Sequence, residues 1–215
     1  MAPIAIKFCG LSRPEDMEAA SQAQAAYVGF VFFAKSPRNV SFETARDLAR
    51  RVSPEQIKVG LVVNPTDEML TELIAKVPLD MIQLHGSETP ERVAEVKALT
   101  GLKVMKVVGI ASAEDVAKIA QYEQIADQIL VDAKMPSTAD LPGGNGVAFD
   151  WSLIANRAWQ RPWMLAGGLN IETVKAAVHA TGAQQIDLSS GLEDTPGVKS
   201  PAKMLAFAEA VRALA

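Results

Sequence analysis

This chain of 215 residues has one cysteine, two histidines and only 6% aromatic residues. A single cysteine cannot form an internal disulfide, and so few Cys and His residues make a poor ligand set, so no metal is expected. Charge of one sign is scarce as well. With 21 Lys and Arg against 25 Asp and Glu, the net charge is -4 and the pI is near 5.3. That balance offers no footprint for nucleic acid, and no basic amphipathic stretch suits a membrane surface. No run approaches the roughly 18 apolar residues that a spanning helix needs. The first residues, Met1-Ala2-Pro3-Ile4-Ala5-Ile6-Lys7, read as neither a charged leader nor a secretory segment, so a reducing cytoplasm is expected. What remains for a partner is a small molecule.

The chain is rich in hydrophobic residues, at 49%, with 21% charged, which allows a large core and one domain over 1–215. Apolar runs recur over 4–9, 27–33, 58–63, 81–85, 104–108, 129–132, 163–166 and 186–189. Each is short and largely non-alternating, as strands buried on both faces of a parallel sheet are. Helical patterns lie between them, over 17–25, 45–52, 69–77, 93–99, 116–122, 150–156, 174–180 and 204–214. Pro14, Pro90 and Pro201 stand where a first helical turn tolerates a missing N–H. Alternating strands and helices imply parallel pairing with right-handed crossovers, met by a doubly wound sheet or a (β/α)8 barrel. The count favours the α/β class as a single-domain (β/α)8 TIM barrel. The irregular segment 133–147 follows the sixth strand on the mouth side, where a lid is expected.

In such a barrel, polar residues at strand ends converge on the C-terminal mouth from distant parts of the chain. Here they are Cys9, Arg38, His85, Asp132 and Asp187. A free cysteine is ordinarily a small buried hydrophobe, and an isolated aspartate ordinarily caps a loop or helix. On one rim, however, a thiol and a carboxylate supply a base and an acid on two sides of a ligand, the pair needed to move a proton between carbon and oxygen. Because a free thiol titrates near about 8.5, a cation such as Lys7, or a helix N-terminus, would be needed to favour the thiolate. Arg38, after the second strand, could meet a substrate carboxylate with its planar fork, or be a solvated loop charge. His85 could hydrogen-bond a ligand as neutral imidazole, whereas His179, in a helical pattern, reads as surface. Gly167 and Gly168 after strand seven, with Ser190 and Gly191 after strand eight, offer backbone N–H groups where barrels of this kind hold phosphate. Trp151, Trp159 and Trp163 read as packing.

Taken in order, Ile6-Lys7-Phe8-Cys9-Gly10, Gly29-Phe30-Val31-Phe32, Ser36-Pro37-Arg38, Gln83-Leu84-His85-Gly86, Leu130-Val131-Asp132, Gly143-Gly144-Asn145-Gly146 with Phe149-Asp150-Trp151, Ala166-Gly167-Gly168-Leu169, and Asp187-Leu188-Ser189-Ser190-Gly191 with Pro196-Gly197 closely resemble the phosphoribosylanthranilate isomerase family. The matches cover essentially the whole chain, and the ordered set is far more specific than any one of them. The resemblance implies a cofactor-free Amadori rearrangement in tryptophan biosynthesis. N-(5-phosphoribosyl)anthranilate would become 1-(2-carboxyphenylamino)-1-deoxyribulose 5-phosphate. It further implies Asp132 as general acid at the ring oxygen, Cys9 as general base at C2, and Arg38 toward the anthranilate carboxylate. Gly167, Gly168, Ser190 and Gly191 would hold the phosphate, with His85 and Asp187 lining the site. Ala133 departs from the Ser or Thr of many relatives, and Ser200 from a frequent aspartate. Two other readings stand beside this one: another phosphosugar isomerase or epimerase, and a non-catalytic sugar-phosphate-binding barrel. Monomer and homodimer are both left open.

Overall fold

A computed structural model describes residues 3–134 and 148–214. Of the expected lid over 133–147, Ala133 ends a strand and residues 135–147, with the Gly143-Gly144-Asn145-Gly146 motif, lie outside the described residues.

The apolar runs become strands β1 (Ala5–Cys9), β2 (Tyr27–Phe32), β3 (Ile57–Val62), β4 (Met81–Leu84), β5 (Lys103–Ile110), β6 (Gln128–Ala133), β7 (Trp163–Leu165) and β8 (Gln185–Leu188). They pair in parallel in chain order and close into a barrel between β8 and β1. Both faces of the barrel wall are buried, which is why the runs do not alternate. Phe8, Val28, Phe30, Ile82, Ile129 and Leu165 pack outward in the main core beneath the helices. Val59, Met81, Met105, Leu130 and Met164 fill the interior. At the N-terminal end the interior turns polar. Tyr27 Oη and Gln128 Nε2 both donate to Gln185 Oε1, at 3.0 and 2.9 Å, so these partly buried groups satisfy one another.

Around the barrel run α1 (Pro14–Gln22), α2 (Phe42–Ala49), α3 (Asp67–Lys76), α4 (Pro90–Thr100), α5 (Ala113–Glu123), α6 (Val174–Thr181) and α7 (Pro201–Arg212). Pro14, Pro90 and Pro201 each open a helix, as expected. The hydroxyls of Ser41, Thr66 and Thr89 accept from the backbone amides of Thr44, Met69 and Arg92, the third residues of α2, α3 and α4. Among the described residues, none of the helices is long and apolar enough to cross a membrane.

One expected helix is absent. The pattern over 150–156 folds only as a single 3₁₀ turn, Trp151–Leu153, with Asp150 accepting from the Ser152 amide. So few residues cannot repay helix nucleation, and Ile154 reaches the core without a helix. The chain instead runs on in irregular form to Trp159, which stacks on Trp163 with ring centroids 4.3 Å apart. Trp159 and Trp163 therefore pack, as the sequence suggests.

A short antiparallel hairpin, β9 (Glu193–Thr195) and β10 (Val198–Lys199), follows β8. Its turn presses on the β2–α2 loop so closely that a side chain at Gly197 would strike the Pro37 carbonyl. That contact delivers Glu193 and Lys199 to the mouth.

Candidate active site

Cys9 is the last residue of β1 and Asp132 the penultimate residue of β6, so both stand on the C-terminal rim, three strands apart around the ring. Both are mostly sheltered, at 4% and 8% exposure. Cys9 packs against Val31 and Leu61 on the inward face. One layer below, on the same face of β1, lies Lys7, in register with Asp187 of β8. The Lys7 ammonium meets Asp187 Oδ1 at 2.8 Å and has no solvent exposure. Burial pushes the Cys9 thiol above its ordinary value, because a thiolate loses hydration there, and Lys7 opposes this without overcoming it. For Lys7 itself burial acts downward, yet Asp187 and Cys9 together hold the ammonium above its usual range. The cationic neighbour anticipated for Cys9 is thus present, but in this site it moderates the thiol rather than ionising it.

No Lys or Arg among the described residues forms an ion pair with Asp132. Its Oδ1 accepts the Ala133 amide at 2.7 Å, closing back on its own strand rather than capping a helix. Its Oδ2 faces His85 Nε2 at 3.5 Å, too long for a good hydrogen bond. That ring nitrogen is buried and has no hydrogen-bond partner among the described residues. The other nitrogen, Nδ1, lies 3.3 Å from Gln83 Nε2; with the amide donating, Nε2 carries the hydrogen and points it toward the mouth. A substrate oxygen between His85 and Asp132 would satisfy both.

Arg38 is 6% exposed and no solvated loop charge. Its Nε and Nη2 grip Glu193 at 2.7 and 2.9 Å in a bidentate pair. Its stem lies over Gly10, at φ +77°, where an added Cβ would come within 2.6 Å of Arg38 Cδ. Lys199 donates to Glu193 Oε1, the oxygen that Arg38 Nε also reaches, and to the Ser189 carbonyl at 3.2 Å, while Ser189 Oγ donates to the Cys9 carbonyl at 3.1 Å. Arg38 and β1 are thereby tied into one network. The two carboxylate oxygens of Glu193 face two cations, which outweighs its burial and keeps its pKa low.

The glycine turns come together as well. Gly167 and Gly168 both take positive φ, +86° and +64°, a conformation that costs glycine little. A Cβ on Gly191 would stand 2.5 Å from the Leu169 carbonyl, so the turns after β7 and β8 are packed against each other. A Cβ on Gly167 would stand 3.0 Å from Asp132 Oδ1, which places one of these turns directly against the rim carboxylate. Asn170 Oδ1 accepts from the amides of Glu172 and Thr173 before α6 begins. His179 is exposed on α6, as read from the sequence.

Residues 6–210 match the N-(5'-phosphoribosyl)anthranilate (PRA) isomerase family. A protein of that name from Cereibacter sphaeroides is 54% identical over 212 residues, covering 99% of this chain and 100% of the relative. The chain belongs to this family. Among solved structures, the phosphoribosylanthranilate isomerase of Thermotoga maritima superposes with a TM-score of 0.88 at 32% identity, covering 98% of this chain and 100% of the other. Another, at TM-score 0.85 and 31% identity with the same coverage, is a complex with reduced 1-(o-carboxyphenylamino)-1-deoxyribulose 5-phosphate. As a member of the family the chain is an isomerase of tryptophan biosynthesis, and its closed parallel barrel is the family's architecture.

Several residues in this isomerase site were not signalled as such by the sequence. Glu193 and Lys199 are not singled out by the sequence, because the hairpin that carries them makes its contacts 155 residues from Arg38 in the chain. Gln83 enters only within the motif that holds His85. Gly29, opposite Cys9, reads as a strand glycine, and a β-interior glycine does signal close approach of something to the backbone.

Proposed function

We propose that the phosphoribosylanthranilate isomerisation in this chain runs on Asp132 as general acid and Cys9 as general base, with no cofactor. Asp132 gives its proton to the furanose ring oxygen as the C1–O bond breaks, and the anilino nitrogen lone pair forms the C=N bond of the open-chain Schiff base. Cys9, as thiolate, then takes the proton from C2. The C–H electron pair becomes a C1–C2 double bond while the nitrogen recovers its lone pair, and the resulting enol tautomerises to 1-(2-carboxyphenylamino)-1-deoxyribulose 5-phosphate.

The observation that carries this reading is that the one thiol and a sheltered carboxylate share the same rim, with glycine turns beside the carboxylate. Gly167, Gly168, Ser190 and Gly191 are proposed to hold the phosphate through backbone N–H groups. Arg38, aimed by Glu193, would meet the anthranilate carboxylate, and His85 and Asp187 would line the sugar. The whole chain would act as one barrel unit in the reducing cytoplasm, where its single thiol stays free. Turnover of phosphoribosylanthranilate by the purified chain, followed through loss of substrate fluorescence, tests the reading. Saturable binding without turnover would replace it with a sugar-phosphate sensor.

A further inference from the structure

A lysine with no solvent contact is uncommon, and Lys7 has none. Its partner Asp187 comes from the neighbouring strand, and the pair lies in the barrel interior, directly below the Cys9 layer. Opposite Cys9 on β2 stands Gly29. The point where a Gly29 Cβ would sit is 3.0 Å from Cys9 Sγ and 3.4 Å from Lys7 Nζ. The missing side chain is therefore the space into which thiol and ammonium both reach. Stability alone gives little reason to keep such a pair, since a buried ion pair is often no better than apolar packing of the same volume.

We propose that Lys7 is a positioning residue for the proton abstraction at Cys9: its ammonium, anchored by Asp187, is the counter-charge against which the buried thiolate forms. Its consequence for turnover rests on the isomerase reading above; the charge interaction itself does not. The charges facing Cys9 are Lys7 from β1, Asp187 from β8 and Lys199 from β10. From the β2 and β3 side, the neighbours recorded for it are uncharged: Gly29, Val31 and Leu61, with Phe33 and Val63 packed against the same cluster. Lys199 is already engaged by Glu193 and the Ser189 carbonyl. With the thiol protonated, Lys7 and Asp187 cancel. Ionising Cys9 then leaves one net negative charge in this pocket, whereas without the ammonium it would leave two.

The thiol can be titrated cleanly because it is the only one in the chain. Its ionisation is read in the ligand-free protein from thiolate absorbance and from the rate of alkylation by iodoacetamide, as a function of pH. Lys7→Met should move the titration upward and slow alkylation at neutral pH by at least about tenfold, the equivalent of one pKa unit. Asp187→Asn, which removes the opposing negative charge, should move it downward. The double variant Lys7→Met/Asp187→Asn should titrate above the unsubstituted protein but below Lys7→Met. The acid limb of the kcat/KM profile should shift in the same order, since the base must be deprotonated. Should Lys7→Met fail to fold with Asp187 left unpaired, the double variant carries the test, having neither charge. An unchanged thiol titration in the folded Lys7→Met or double variant, with only thermal stability lost, would overturn the proposal. No turnover by the unsubstituted chain would instead sink the isomerase reading, and the order of the thiol titrations would still decide the role of Lys7.

Discussion

The two halves of the rim are built on opposite electrostatic plans. Around Cys9 lie Lys7, Asp187 and Lys199, with Arg38 and Glu193 tied into the same network. Around Asp132, by contrast, stand the Ala133 amide, the His85 ring and Gly167, and no Lys or Arg among the described residues forms an ion pair with it. If Cys9 and Asp132 serve as the proposed base and acid, the base gains from cations close to the anion it must become in a dry pocket, and the acid has no need of them. A buried ion pair elsewhere in the fold, Lys106 with Glu88, serves a different purpose. Lys106 donates to Glu88 and to the Gly86 carbonyl, both at 2.7 Å, and Glu88 receives the amides of Asn64 and Gly86. It braces the loop that follows His85 and does not touch Asp132.

If the two sides are as separate as this, disturbing one should leave the signature of the other intact. The largest effect is expected from Lys106→Met, which strands the Glu88 carboxylate in a buried site. Denaturant unfolding should show a loss of about 3–5 kcal/mol. The Cys9 titration should stay where it is, and a shift would mean that the Cys9 half is not separate from the rest of the fold. Cys9→Ala and Asp132→Asn should each lower kcat by at least about 10²-fold with the circular dichroism spectrum unchanged. Near-normal turnover in either would remove that residue from its assigned role. Arg38→Ala should raise KM about tenfold with little change in kcat, as expected for a charge-assisted contact equal in ground and transition states. Glu193→Gln should give a smaller rise of the same kind, because it loosens the guanidinium without deleting it. A fall in kcat at constant KM would contradict both.

The smallest effect is on stability against pH. The folded chain holds the Cys9 proton more tightly than an unfolded thiol does. That contribution is therefore complete below the unfolded value of about 8.5 and is lost as pH rises through the higher folded value, with a slope of at most about 1.4 kcal/mol per unit. Unfolding of the wild-type chain and of Cys9→Ala, compared across this window, should give a shallower slope for the variant. Equal slopes would mean that the thiol is not sheltered in the way the charge-rich half requires.

Much of the site is legible in the chain because strand ends are. Cys9 and Asp132 each close an apolar run, and any parallel barrel carries such ends to one mouth. Lys7 is also legible as a neighbour of Cys9, two residues away on the same strand face. Its anchor is not, since Asp187 lies 180 residues further on. The same holds for Arg38, whose fork reads as reaching for a ligand. Nothing in Ser36-Pro37-Arg38 announces that Glu193 will hold two of its nitrogens. The stretch over 150–156 misleads in another way: its apolar residues suggest a helix, but it is too short to sustain one and folds as a single 3₁₀ turn, with Ile154 in the main core and Trp151 and Leu153 packed against it.

By itself the sequence determined the alternation of buried strands and capped helices, the placement of a thiol and a carboxylate at strand ends, and the glycines at the two turns after β7 and β8. These follow from patterns a few residues long, where local geometry and burial leave little choice. Only the tertiary structure decided which charges surround the thiol and which polar groups surround the acid. Those partners meet through the closure of β8 on β1 and the folding of a hairpin onto a distant loop, and electrostatic environment depends on distance in space, which chain spacing does not encode.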